Sequence, residues 1–296
     1  MRVPYSGEKQ VEANGITINY DTFGSPEAPP LLLISGLGMQ MIGWHEDFCQ
    51  QLALNGYWVI RFDNRDVGLS TRLEALGMPN VMEAFPQWQA GENISDAPYL
   101  LRDMAADAVG LMDALGIEKS HIVGASLGGM VTQEVLIHFA DRVKTAVSIM
   151  STPSIPRSRP EAAVLLLTPP ASNRQQHIEQ SLTAAKVLLG CGFPFHEDRV
   201  RESAGRAYDR GLYPVGTARQ MMATMASGSR VEALKKVDVP TLVIHGDDDA
   251  LILVEGGYET AESIPNAKLL IIEGMGHSLP IEAWPQIVSA IAAHAV

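Results

Sequence analysis

The chain has 296 residues, with 22 Lys and Arg against 34 Asp and Glu, a net charge of −12, and 46% hydrophobic residues. That hydrophobic share excludes a disordered or collagen-like chain, and the length is ample for one large core. The acidic balance, with no clustered run of Lys or Arg, excludes a nucleic-acid partner and argues against anionic membrane surfaces.

No apolar stretch reaches the roughly 18 residues that span a bilayer, and Met1 to Gln10 is polar, so no membrane insertion is expected. A soluble, cytoplasmic protein is the expectation. Cys49 and Cys191 are too few and too far apart for a disulfide framework or a zinc site, and both are expected to be idle thiols.

In chain order, Gln10 to Ala13 and Ile16 to Phe23 flank Asn14-Gly15, a dipeptide suited to a tight hairpin turn. Leu31 to Ile34 is a short continuous apolar run, the pattern of a strand buried on both faces. Such runs recur at Trp58 to Phe62, His121 to Val123, Ala146 to Met150, Thr241 to Ile244 and Leu269 to Ile272. Helical patterns lie between them. Tyr99 to Leu115 reads as a helix; Leu127, Met130, Val131 and Val135 share one helical face; Pro285 suits a first helical position. Strand and helix in alternation predict an α/β fold with a mostly parallel sheet covered on both faces.

Residues 151–229 break this alternation with helical patterns and no strand run, bounded by Ser151-Thr152-Pro153-Ser154-Ile155-Pro156 and Ser227-Gly228-Ser229. The expectation is a helical cap over the ligand-binding edge of the sheet, inserted between core segments 1–150 and 230–296.

Chemistry is concentrated in three places. Gly124-Ala125-Ser126-Leu127-Gly128 lies between a strand and a helix, where flanking glycines allow a sharp turn that exposes the Ser126 hydroxyl at a helix N-terminus. A strand ending in His245-Gly246-Asp247-Asp248-Asp249 brings carboxylates to the same edge, and Gly274-Met275-Gly276-His277 follows the last strand. From spacing alone any of the three aspartates is a candidate. The order Ser, Asp, His is that of the α/β-hydrolase fold.

On these motifs the sequence resembles the α/β-hydrolase superfamily over nearly its whole length. Arg61-Phe62-Asp63-Asn64-Arg65-Asp66-Val67-Gly68-Leu69-Ser70 is similar to the matching stretch of capped bacterial esterases of the aclacinomycin-methylesterase type. The resemblance implies Ser126 as nucleophile, His277 as general base and Asp249 as acid, with Asp248 the fallback. It implies an oxyanion hole from the backbone N–H groups of Leu37 and Leu127, and no metal or organic cofactor. Many relatives carry His-Gly where this chain has Ser35-Gly36, and Gly where it has Asp66, so the anchoring of the Leu37 loop is open.

The implied reaction is hydrolysis of a small to medium uncharged ester through an acyl-enzyme. Two other readings stand beside it: C–C bond or lactone hydrolysis by the same triad, and a ligand-binding receptor with little turnover. For substrate contacts the candidates are Gly36, Met150, Met221, Met222, Met225 and Ser278, with Leu165, Leu166, Leu167, Leu188 and Leu189 as further apolar lining. His245 is expected to be structural, and Arg65 to tie its own loop together through Asp63 and Asp66. The remaining histidines show no pattern, and the sequence leaves the oligomeric state open.

Overall fold

The computed structural model describes residues 3–295. Asn14 and Gly15 both take positive φ, which turns β1 (Lys9–Ala13) into β2 (Ile16–Phe23) as a tight hairpin. Then follow β3 (Pro30–Ile34), α1 (Glu46–Leu54), β4 (Trp58–Phe62), α2 (Val81–Gln89), α3 (Leu101–Ala114), β5 (Ser120–Ala125), α4 (Leu127–His138) and β6 (Val143–Ile149). Four helices lie between β6 and the next strand before residue 229: α5 (Pro160–Ala163), α6 (Arg174–Leu188), α7 (Glu197–Gly211) and α8 (Pro214–Ala226). The chain closes with α9 (Val231–Leu234), β7 (Thr241–Gly246), α10 (Val254–Ser263), β8 (Lys268–Ile272) and α11 (Trp284–His294).

The eight strands form one sheet in the order β1-β2-β4-β3-β5-β6-β7-β8. β2 runs antiparallel to both its neighbours and every other pair is parallel. The apolar runs are buried on both faces because alternate residues enter different layers. Leu32, Ile34, Ile60, Phe62 and Ile122 pack with α3 and α4, whereas Leu31, Leu33, Val59 and Val123 pack with α1 and α11.

Most departures from the sequence reading are at boundaries. β6 begins at Val143, three residues before the apolar run, because the exposed Lys144 interrupts the pattern without ending the pairing. It ends at Ile149, and Met150 turns away with φ +43. The helix expected from Tyr99 starts at Leu101, where the Asp103 carboxylate accepts the Leu100 N–H at 2.8 Å. The two thiols differ: burial pushes Cys49 up to about 12, whereas Cys191 is exposed. No helix of the described residues is long and apolar enough to cross a membrane.

Candidate active site

The turn between β5 and α4 is what makes Ser126 available. Its backbone sits at φ +56, ψ −120, a conformation that costs a non-glycine residue on the order of 1–3 kcal/mol and persists only when its surroundings enforce it. Enforcement comes from close packing. A Cβ on Gly124 would overlap the Gly128 carbonyl, and one on Gly128 would overlap the Ile34 carbonyl. The Ser126 N–H donates to the Ile149 carbonyl at 2.9 Å, and the Ser151 hydroxyl donates to the Ser126 carbonyl at 2.8 Å.

The loops after β7 and β8 meet this turn. His277 Nε2 lies 2.9 Å from Ser126 Oγ, and His277 Nδ1 lies 2.7 Å from Asp249 Oδ2. A carboxylate only accepts, so Nδ1 carries the proton and Nε2 presents its lone pair to the serine hydroxyl. Asp249 Oδ1 is fixed by the N–H groups of Leu251 and Ile252 at 2.8 and 2.9 Å. Burial alone would raise this carboxyl, but the His277 ring with its hydrogen bond, and the nearby His245 ring, hold it far below the ordinary carboxylate range.

The three consecutive aspartates have separate partners. Asp247 accepts the Gly274 N–H at 2.6 Å and so braces the histidine loop. Asp248 pairs with Arg159 at 2.7 Å and accepts the Cys191 N–H at 2.8 Å, binding the 151–229 segment. Only Asp249 reaches His277. His245 is fully buried behind it; its Nε2 donates to the Ile252 carbonyl at 2.8 Å and stands 3.4 Å from Asp249 Oδ2. Among the described residues no group of three His, Cys, Asp or Glu is placed to hold a metal ion.

Leu127 opens α4, so its N–H has no acceptor within the helix. Leu37 stands across from it in the loop after β3, and a Cβ on Gly36 would lie 3.4 Å from Ser126 Cβ. Ser35 does not anchor this loop through its side chain, because its hydroxyl is buried without a hydrogen-bond partner. The main chain is held instead: Asn64 Nδ2 donates to the Ser35 carbonyl at 3.1 Å, and the Gly38 N–H donates to Gln220 Oε1 at 2.9 Å.

The reading of Arg65 needs correction. It pairs with Asp107 of α3 at 2.6 Å rather than with its neighbours in the loop. Asp63 and Asp66 are taken by arginines of α7 and α8, Arg210 and Arg219, each at 2.7 Å. Asp66 stands at φ +66, where glycine is easier, and is held there by Arg219, the Tyr99 hydroxyl and the Leu73 N–H.

Over Ser126 lies a cavity of about 70 Å³. Leu37, Leu127, Met130, Leu166, Met221, Met225, Leu251, Ile252 and Trp88 supply an apolar lining, with Thr224 the polar side chain beside Ser126. Four residues singled out for substrate contact fall elsewhere or beside it. Met150 packs in the core layer of α11, and Met222 packs on Ala84 and Trp88 of α2. Ser278 makes only a 3.5 Å contact with the Leu189 carbonyl, and Gly36 sits against Ser126 without facing the cavity. Of the five leucines, Leu166 alone lines it. Trp88 was not anticipated; the available signal was the Asn80 N-cap followed by apolar residues with Phe85 and Trp88 at helical spacing.

A Ser-His-Asp chain at the C-terminal edge of a mostly parallel sheet defines the class of protein this is. The chain matches the α/β hydrolase fold family over residues 29–283, and it belongs to that family. A rhodomycin D methylesterase of Streptomyces peucetius is 26% identical over 312 residues, covering 97% of each chain. A 3-oxoadipate enol-lactonase of Acinetobacter baylyi is 25% identical, covering 88% of this chain and 86% of its own. Among solved structures, a meta-cleavage product hydrolase of Pseudomonas fluorescens superimposes with TM-score 0.77 at 22% identity, over 97% of this chain and 96% of its own. That last likeness concerns the fold alone.

Proposed function

We propose that the protein is a carboxylic-ester hydrolase in which Ser126, His277 and Asp249 are the catalytic triad and residues 151–229 form a cap. The observation that carries the reading is the unbroken hydrogen-bond chain from the serine hydroxyl through the imidazole to the carboxylate, 2.9 and 2.7 Å, opening on an apolar cavity. Methylesterases aligned over 97% of the chain support the ester assignment.

The chemistry follows from the geometry. Ser126 Oγ attacks the ester carbonyl while His277 Nε2 takes its proton, and Asp249 stabilises the resulting imidazolium. The N–H groups of Leu37 and Leu127 receive the tetrahedral oxyanion. Collapse expels the alcohol, which takes the proton from His277. Water then attacks the acyl-enzyme by the same route and releases the acid.

The lining limits the substrate. The volume is well below the roughly 300 Å³ at which ligand pockets begin. In this closed form the site accepts a short apolar group, and a longer one requires α8 or α2 to shift. The lining carries no Lys or Arg to meet a substrate carboxylate.

The test is turnover of a panel of p-nitrophenyl esters of increasing acyl length, with an uncharged lactone and a free-carboxylate dienoate. The expected result is hydrolysis of short uncharged esters, lost by several orders of magnitude in Ser126→Ala and His277→Ala. A preference for the dienoate, or variants as active as the native enzyme, contradicts the proposal.

A further inference from the structure

The loop that carries Leu37 is held from both sides, by Asn64 of the core at the Ser35 carbonyl and by Gln220 of α8 at the Gly38 N–H. Gln220, fully buried on α8, has its Oε1 on the Gly38 N–H at 2.9 Å and donates from Nε2 to the Arg65 carbonyl at 2.8 Å. Its two halves therefore clamp two core loops, that after β3 and that after β4. Ser35 contributes no side-chain hydrogen bond to the same loop. Gly38 stands at φ +64, and a Cβ there would lie 2.5 Å from Thr217 Oγ1, so α8 packs directly on the backbone one residue from Leu37.

The helix is seated firmly enough to act as a reference. The Arg219 guanidinium meets the Asp66 carboxylate with two hydrogen bonds, at 2.7 and 2.9 Å, and both side chains are fully buried. A Cβ on Gly216 would overlap the Asp66 carbonyl, so no side chain separates helix from loop. Within the next turn and a half, Met221, Thr224 and Met225 line the cavity over Ser126. Substrate contact and the Leu37 loop thus bear on the same rigid element.

We propose that Gln220 is a positioning residue for the oxyanion hole, so that the hole is complete only when α8 of the insertion is docked. This inference rests on the ester-hydrolase reading above. It predicts that losing Gln220 harms the step in which charge develops on the carbonyl oxygen more than it harms binding of the uncharged ester, because the Leu37 amide is then no longer aimed.

The experiment compares native enzyme with Gln220→Met, which keeps side-chain length and removes both hydrogen bonds, and with Gln220→Glu, which keeps an acceptor for Gly38. kcat and KM are measured on a p-nitrophenyl ester, with the rate of phosphonylation by a fluorophosphonate and the thermal midpoint. For Gln220→Met, kcat falls about 100-fold with KM within about threefold, and phosphonylation slows in step. Gln220→Glu recovers at least about a tenth of native kcat. If the Met variant does not fold, Gln220→Ala, which leaves room for water beside Gly38 and Arg65, carries the test with an expected loss of about tenfold. Native kcat in the Met variant, or a rise in KM with kcat unchanged, overturns the inference while leaving the esterase reading intact. Native enzyme that turns over no ester and takes no phosphonate overturns the esterase reading itself.

Discussion

The proposed catalytic edge of the sheet and the seam between residues 151–229 and the sheet differ in the contacts that join them. At the edge, Ser126, Asp249 and His277 are each delivered by a strand that ends in a tight turn, and glycines let backbone pack on backbone. Along the seam, glycine contacts such as Gly216 on the Asp66 carbonyl are supplemented by long side chains: Arg210 to Asp63, Arg219 to Asp66 and Gln220 to Gly38, pairs separated by 147, 153 and 182 positions.

The largest expected effect lies on the catalytic side. Asp249→Asn leaves the shape intact but favours the wrong imidazole tautomer, and kcat falls by about 10⁴-fold in steady-state ester turnover with little change in thermal midpoint. A kcat within tenfold of native would mean that a neighbouring aspartate serves His277.

Next comes the seam. Arg219→Met strands a fully buried Asp66 carboxylate and costs about 3–5 kcal/mol in denaturant unfolding. Replacing both partners by apolar residues is expected to return much of that loss. By contrast, Arg159→Ala breaks a pair in which the arginine is 44% exposed, and the cost is under about 1 kcal/mol with turnover unchanged. Equal costs at the two arginines would erase the distinction between buried and exposed seam contacts.

The acid side of the pH profile gives a finer test. Because Asp249 is held below the ordinary carboxylate range, it stays charged down to strongly acidic pH. Its contribution to stability is present above the unfolded-state value, near 4, and is lost only as pH falls through the lower folded value. Asp249 therefore adds no acid limb to kcat/KM within the ordinary carboxylate range. A limb at pH 4 or below would point to a carboxyl as the titrating base.

The catalytic edge was largely legible in the sequence for a physical reason. A buried strand followed by a glycine turn leaves a local trace, as at Gly124 to Gly128, so the strands, the hairpin and the three loops could be read in order. The seam was not, because nothing adjacent to Asp66 says that Arg219 will meet it. The same lack of a local trace hides the pairing of Arg65 with Asp107. α2 leaves little trace because its short apolar pattern contains Pro86, and Trp88 is hidden with it. Of the candidate substrate contacts, Met150 packs in the core and Met222 against α2.

The most direct measurement is mass-spectrometric mapping of a fluorophosphonate adduct. Stoichiometric labelling confined to Ser126, abolished in Ser126→Ala and slowed by orders of magnitude in His277→Ala, is the predicted result. Labelling at another residue, or undiminished labelling of Ser126 without His277, would contradict the claim that these loops form one catalytic chain.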